Sequence, residues 1–276
     1  MYKKRSRDIV TNLVKMKLWG DTLTESKKRP IVVIGIGEIG SVFARGFLRL
    51  GATVIPVTRQ MDIKQQAEQI DDPEAVIVAV GESELQSVLS EIPKEWKDRL
   101  VLIQNELLPR DWNNHQLYPT VISVWFEKKK GQDVKIVVPS PVFGKHAVLI
   151  SNALSELDIP TVILDSPDEL VFELLRKNFY ILTSNIAGLK VGGTVGELWR
   201  QHQSFAEDVV TDITSIQQHL VGYVIDKEKL TQAMLVAFDA DPDHGCMGRS
   251  APMRLQRALD IAQSANIEVP TLAALQ

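Results

Sequence analysis

Between the apolar tetrapeptide Ile31–Ile34 and a helix-patterned run from Ser41 to Leu50 lie three glycines, Gly35, Gly37 and Gly40, and a second apolar run, Thr53–Val57, follows at once. No other feature of the chain restricts its fold as much. A glycine triad that leaves a strand, opens a helix and returns to a strand within ~30 residues specifies one strand–helix–strand unit of a parallel sheet. Each glycine has its own reason to be there. Gly35 permits the tight turn out of the strand. Gly37 carries no side chain to block a pyrophosphate, and Gly40 lets the helix approach the sheet while its first amide N–H groups face the anion. The pattern predicts a dinucleotide site, not a merely structural turn, on the backbone from Gly35 through Ile36, Gly37, Glu38 and Ile39 to Gly40. Glu38 would repel a phosphate that it faced. It is expected to point outward, where an acid in the first turn suits the helix dipole.

The choice of dinucleotide turns on the end of the second strand, where an acidic side chain would bond the ribose 2′-hydroxyl of NAD. Val57-Thr58-Arg59 stands there instead, with Arg59 19 residues after Gly40 and no acid in competition. A guanidinium presents a planar fork of donors to phosphate oxygens, so Thr58 and Arg59 point to a 2′-phosphate and to NADP(H) as the cofactor.

After Ile31 the chain alternates short apolar runs with helical periodicity, the order of a doubly wound α/β domain with helices on both faces of its sheet. The runs are Ile31–Ile34, Thr53–Val57, Ala75–Val80, Leu100–Ile103 and Val121–Trp125, with a further pair near Val134–Val138 and Thr161–Leu164. The lysines of Lys128-Lys129-Lys130-Gly131-Gln132-Asp133 are expected to face water from a turn. Strand signals stop at Asp165. Ser166-Pro167-Asp168-Glu169 then supplies an N-cap, a proline at the first helical position and acids in the first turn. The helix that follows is expected to stop at Gly192-Gly193, and Glu197–Val221, Lys227–Phe238 and Ala251–Ala265 each predict another. The chain therefore divides into a basic arm (1–30), a dinucleotide-binding domain (31–165) and an all-helical domain (166–276), in accord with a prior of roughly two domains for 276 residues. The arm carries nine Lys or Arg and one short amphipathic stretch, Ile9, Leu13, Met16 and Leu18, and is assigned no chemistry.

Composition narrows the partners. Apolar residues make up 45% of the chain, enough for a sizeable core. A net charge of −4 gives no global positive field to hold nucleic acid or an anionic membrane, so a small-molecule substrate is expected. No run of about 18 apolar residues predicts a membrane span, and residues 1–30 lack the apolar core of a secretory signal. The single cysteine, Cys246, excludes an intrachain disulfide and the usual cysteine-built metal centres, and makes the cytoplasm the expected compartment. No activating base is identifiable for Cys246, so it reads as a small loop or core residue. The segment Asp239-Ala240-Asp241-Pro242-Asp243-His244-Gly245-Cys246 gathers carboxylates, an imidazole and a thiol. Its proline interrupts regular geometry and no outlying ligand motif accompanies it, so it reads as a polar interhelical loop and no metal is expected.

The glycine triad and Arg59, together with Gln104-Asn105 at the end of the fourth strand and Arg176-Lys177 with Asn185 in the long helix, resemble the ketopantoate reductase family over nearly the whole chain after residue 30. The resemblance implies an NADP-binding Rossmann domain followed by a helical domain similar to that of 6-phosphogluconate dehydrogenase, which often self-associates; a homodimer through it is expected. It implies Lys177 as general acid, Asn105 at the nicotinamide end of the cleft and Asn185 as a substrate ligand. The cofactor-binding set becomes Gly35, Ile36, Gly37, Glu38, Ile39, Gly40, Thr58, Arg59, Val80, Gly81 and Asn105. Elementary chemistry agrees with the lysine's role. With an ordinary pKa of about 10.4, Lys177 would be a cation at neutral pH, able to stabilise a developing alkoxide and then protonate it. The competing reading is an exposed ion pair with Glu173, four residues earlier, worth ~0.3 kcal/mol. Asn185 lies about two turns further on, ~12 Å of rise, so a substrate touching both must lie along the helix.

The chain also departs from the family. Val80-Gly81-Glu82-Ser83 stands where the family commonly has a lysine, and Ile181 stands for a second asparagine. Asp239-Ala240 replaces a serine pair. In Gly248-Arg249-Ser250-Ala251-Pro252 a proline replaces the substrate-binding glutamate, leaving Asp241, Asp243, His244 and Ser250 as possible substitutes. The expected activity is NADPH-dependent reduction of a small 2-oxo acid or related carbonyl compound other than ketopantoate. The alternatives are a non-catalytic NADP-binding or sensing protein that has lost the substrate site, and a C=N reductase using the same hydride chemistry.

Overall fold

The computed structural model describes residues 29–276; the amphipathic stretch expected at Ile9–Leu18 lies outside them. Strand β1 (Ile31–Ile34) is buried along its length and sits inside a seven-stranded sheet of order β2-β1-β3-β4-β5-β8-β9. Its parallel neighbours are β2 (Val54–Val57) and β3 (Ala75–Val78), followed by β4 (Leu100–Leu102) and β5 (Thr120–Ile122). Strands β3, β4 and β5 end before the runs that predicted them, so Val80, Ile103 and Trp125 fall in the turns at the strand ends.

One expected strand is displaced. Val134–Val138 yields only β7 (Lys135–Ile136), which pairs with β6 (Phe126–Glu127) in a two-stranded ladder outside the main sheet. Its place is taken by β8 (Ser140–Phe143), antiparallel to β5 and parallel to β9 (Thr161–Ile163). Pro141 hides this strand in the sequence, because proline lacks the N–H that a ladder uses. Here it lies just past the end of the antiparallel register and contributes its carbonyl, which accepts from the Ser123 N–H at 2.9 Å. The Lys128 turn forms, but Lys128 does not face water. Its ammonium donates to the carbonyls of Lys129 and Gln132.

Alternation along the strands separates two cores. Ile31, Val33, Ala75 and Ile77 face α1 (Glu38–Arg49) and α5 (Ala147–Ser155). Val32, Ile34, Val76 and Val78 face the opposite side, where α2 (Ile63–Gln69) and α3 (Leu85–Glu91) pack. The first core includes Phe43 and Phe47; the second runs on through Trp96 and Leu107 into the helical part of the chain. A short α4 (Arg110–Asn113) follows β4.

The helical part is organised around α6 (Pro167–Val191), about 38 Å long at 1.5 Å per residue. The Ser166 side chain caps it by accepting from the Glu169 N–H, and it ends at Gly192 with φ +64°. Every residue from Asn178 to Gly188 is buried, because α8 (Gln203–Val221), α9 (Lys227–Ala240) and α10 (Ala251–Ala265) surround that stretch. The single helix expected over Glu197–Val221 is two helices. A capping box of Thr194 and Glu197 starts α7 (Val195–Gln201), and His202 interrupts the backbone before α8. Short α11 (Pro270–Ala273) closes against α8 through the Asp212 carboxylate, which accepts from the Leu272 N–H.

Candidate active site

The glycine turn has the shape its sequence predicts. Gly35 has φ +88°, and a Cβ there would stand 2.6 Å from the Ala79 carbonyl oxygen. A Cβ on Gly40 would meet the Gly35 oxygen at 2.1 Å, so the helix can lie this close to the strand end only with hydrogen at that position. Beside Gly37 nothing lies within 4 Å, leaving open space at the N-terminus of α1, where free amide N–H groups favour an anion. A pyrophosphate fits this cradle. Glu38 is exposed as expected, with its carboxylate 3.8 Å from the Lys128 ammonium.

Two cavities flank the turn. One, of about 750 Å³, is lined by Gly35, Ile36, Gly37, Thr58, Arg59, Val80 and Gly81. Most of the expected cofactor residues are therefore neighbours. The expectation that no acid competes at Arg59 is corrected, however: Glu84, from the turn after β3, holds the Arg59 guanidinium at 3.0 Å. Glu84 is 25 residues beyond Arg59 in sequence, and only the parallel pairing of β1 with β2 and β3 brings the two turns side by side.

The other cavity, of about 670 Å³, lies where the ends of β4 and β5 meet α6 and the start of α10. Ile39 joins it to the glycine turn, and Asn105, Lys177, Asn185, Arg249 and Arg254 line it with Val124 and Trp125. The three residues expected to act on substrate thus converge on one space. Lys177 keeps partial access to the cleft, but protein encloses its ammonium. It donates to the Val124 carbonyl and lies 4.3 Å from the centre of the Trp125 ring. Burial, then the charges of Arg254 and Arg176, push its pKa down to about 7. Lys177 is therefore not the unconditional cation expected from its ordinary pKa. Nor is it paired with Glu173, whose carboxylate binds Arg176 at 3.2 Å.

The two asparagines are held by charged neighbours. The Asn105 Nδ2 donates to Glu82 Oε1 at 3.1 Å, and the Asn185 Oδ1 accepts from Arg254 Nη1 at 2.8 Å. Gln104, the other half of the Gln-Asn pair, is buried and donates to the carbonyl of Val78 at 2.7 Å, tying β3 to β4. Sequence reasoning missed Arg254. Its signal was available, since Arg254 sits among Ala251, Leu255, Ala258 and Ala262 in the buried stripe of α10, where a charge needs a partner. Arg254 is 8% exposed and also donates to Glu82 at 3.0 Å and Glu106 at 2.8 Å.

Of the substitutes for the family's lost substrate ligands, His244 reaches the cavity, whereas Asp241 is taken by Lys135 at 2.6 Å. Among the described residues no group of three or more His, Cys, Asp or Glu is placed to hold a metal ion. Cys246 is fully buried against Gly188 of α6, and burial raises its thiol pKa to about 11. Among the described residues no helix is long and apolar enough to cross a membrane.

No family model matches the sequence, and no curated protein matches it. Solved structures do. A PanE/ApbA family ketopantoate reductase from Ralstonia eutropha is similar at 14% identity with a TM-score of 0.61, over 89% of this chain and 95% of that one. A 2-dehydropantoate 2-reductase from Bacillus subtilis is similar at 17% identity and a TM-score of 0.61, over 89% and 97%. D-mandelate dehydrogenase, in a ternary structure with NADH and anilino(oxo)acetate, is similar at 13% identity and a TM-score of 0.60, over 89% and 96%. Over that coverage the parallel sheet and the helical part of this chain follow the same path, and its fold is that of the ketopantoate reductases.

Proposed function

We propose that the protein is an NADPH-dependent reductase of a small 2-oxo acid or related carbonyl compound. The observation that carries this reading is the convergence of Lys177, Asn105 and Asn185 on a cavity that opens onto the glycine turn. A cleft at the carboxyl ends of parallel strands is where open sheets of this kind bind nucleotides. The similarity to ketopantoate reductases and to a D-mandelate dehydrogenase holding NADH is in keeping with it.

The backbone from Gly35 to Gly40 would hold the pyrophosphate, Thr58 and Arg59 the adenosine ribose with its 2′-phosphate, Val80 and Gly81 the chain between them, and Asn105 the nicotinamide end. Bound there, the nicotinamide supplies a hydride to the carbonyl carbon. The protein's own groups handle charge and proton. The Lys177 ammonium stabilises negative charge on the substrate oxygen and gives it the proton. Its hydrogen bond to Val124 and the face of Trp125 fix the ammonium in place. Asn105 orders the reacting groups at the nicotinamide end, and the Asn185 amide donates to the substrate further along the helix. Ile103, Val124 and Trp125 form an apolar wall that keeps water away.

On this reading residues 31–165 carry the cofactor and 166–276 carry the substrate wall and the contact of a homodimer. A similar ketopantoate reductase, from Staphylococcus aureus, is described as dimeric. The cytoplasm is the setting that the lone cysteine favours.

Calorimetric titration should give tighter binding of NADPH than of NADH, because the exposed Arg59 guanidinium can leave Glu84 to pair with a 2′-phosphate of higher charge. Equal affinity would remove Arg59 from the assignment. A panel of 2-oxo acids should then oxidise NADPH at 340 nm. Lys177→Ala should lower kcat by 10²-fold or more, on the order expected for a lost general acid, while NADPH affinity stays within about twofold. Tight NADPH binding with no turnover of any oxo acid, aldehyde or imine would leave the sensing alternative in its place.

A further inference from the structure

Arg254 enters the cleft from α10 and donates through each of its three nitrogens. Its Nε donates to Glu106 Oε1 at 2.8 Å, its Nη2 to Glu82 Oε1 at 3.0 Å and its Nη1 to Asn185 Oδ1 at 2.8 Å. The two carboxylates belong to the turns after β3 and β4, so the guanidinium bridges the sheet and the helical bundle. Arg257, one helical turn on, donates to the same Glu106 oxygen at 2.5 Å and holds that carboxylate in place. Glu106 itself has φ +59°, a conformation uncommon for glutamate, and its side chain points back to α10.

The direction of each hydrogen bond matters more than its length. A carboxamide has a donor end and an acceptor end, and a wrong orientation sets like against like. Glu82 can only accept, so Asn105 must turn its Nδ2 toward it, which leaves the Asn105 Oδ1 free. Arg254 can only donate, so Asn185 must turn its Oδ1 toward it. The Asn185 Nδ2 keeps only a long contact of 3.3 Å to Ser184 Oγ and has a second hydrogen to give. Glu82 in turn stays where it is because Arg254 holds the same oxygen that Asn105 uses.

We propose that Arg254 is a positioning residue that sets the polarity of both cleft asparagines, so that the substrate meets an acceptor on Asn105 and a donor on Asn185. The proposal rests on the reductase reading of the cleft. It deepens that reading, because an acceptor near the nicotinamide end and a donor two helical turns along α6 from Lys177 suit a substrate with a hydroxyl or amide hydrogen at one end and an anionic oxygen at the other. It also makes the arrangement conditional on docking of the two halves, since Arg254 comes from one half and both of its carboxylates from the other.

The test uses the full chain with ¹⁵N in the asparagine side chains, the Asn105 and Asn185 signals being assigned by single Asn→Asp replacement. In Arg254→Met both carboxamide signals should shift and exchange faster with solvent, while the other asparagines stay as in the wild type. In kinetics kcat should fall by about 10²-fold, as for a misplaced reacting group, with the KM for NADPH within about twofold of the wild type. Wild-type signals from either asparagine in a folded variant would overturn the proposal. Arg254→Lys keeps the charge but cannot reach three acceptors, and serves the same test if the Met variant does not fold. If neither folds, Glu82→Gln weakens the anchor that Arg254 and Asn105 share and must move the Asn105 signal, with a smaller shift at Asn185 by way of Arg254; an unmoved Asn105 signal would overturn the proposal. The spectra need no turnover: a wild type inactive on every oxo acid would end the reductase reading, and the asparagine signals would still decide the role of Arg254.

Discussion

Lys177 is placed where its proton is easily lost, and the cause is local. Enclosure of the ammonium, then the positive charges of Arg254 and Arg176, bring its pKa down to about 7. A general acid has to be protonated to act, so kcat/KM for carbonyl reduction should fall as pH rises through about 7, and a profile flat to pH 9 would separate Lys177 from proton transfer. The same shift bears on stability with a definite sign. Between pH 7 and the ordinary lysine value of 10.5, the unfolded chain binds the proton that the folded one has released. Lys177 therefore penalises folding fully below about pH 7, and the penalty fades as pH rises toward 10.5. Thermal melts of Lys177→Met should show a gain in Tm at pH 6 that disappears near pH 10. The residue was singled out by the resemblance that Arg176-Lys177 and Asn185 carry, since its spacing from Glu173 alone favoured an ordinary ion pair. Its ionisation was not, because the groups that govern it, Val124, Trp125 and Arg254, are 53, 52 and 77 positions away in the chain.

At the level of elements, local chemistry determined most of what forms. The glycine turn, the Ser166 cap with Pro167, and the stop at Gly192 all depend on neighbours within a few residues, and all three appear where the sequence puts them. The misreadings have the opposite character. Val134–Val138 has the apolar pattern of a strand, but Ser140–Phe143 wins the place beside β5, a competition decided by the sheet as a whole. The break at His202 escapes a periodicity argument, since apolar spacing continues on both sides of it. The turn that is best predicted is also the most sharply testable. Gly40→Ala puts a methyl group 2.1 Å from the Gly35 carbonyl, so α1 must back away from β1. NADPH binding should be lost in titration while circular dichroism retains the helical signal, whereas Gly37→Ala, with open space around it, should fold normally and weaken NADPH alone. Equal NADPH affinity in all three proteins would mean that the pyrophosphate does not sit on this turn. Ser166→Ala, far from the cleft, should cost about 1 kcal/mol of stability through the lost cap and leave cofactor affinity unchanged.

The whole molecule is less divisible than its sequence suggests. A change from strand signals to helix signals near Asp165 reads as a boundary between independent units, and the element order does change there, from β9 to α6. The packing does not stop at that point. One core runs from Val32, Val76 and Trp96 of the sheet side through Leu107 and Leu117 to Leu174, Phe179 and Leu182 of α6. Arg254 adds polar ties across the same junction through Glu82 and Glu106. Separating the halves would expose buried leucine and aromatic side chains on both, at roughly 25 cal/mol per Å² of apolar surface, so neither half has a complete core alone. The full chain should therefore unfold as one cooperative unit, with calorimetric and van't Hoff enthalpies in agreement. NADPH at a hundred times its Kd should move that single transition upward by the equivalent of about 2.7 kcal/mol, although the site proposed for it lies mainly on the sheet side. Two resolved transitions, with only the earlier or the later responding to NADPH, would show that the halves are coupled too weakly for docking to govern the cleft. A residues 31–165 fragment that melts at the temperature of the full chain would say the same by another route, because the face of the sheet that α6 covers would then need no cover.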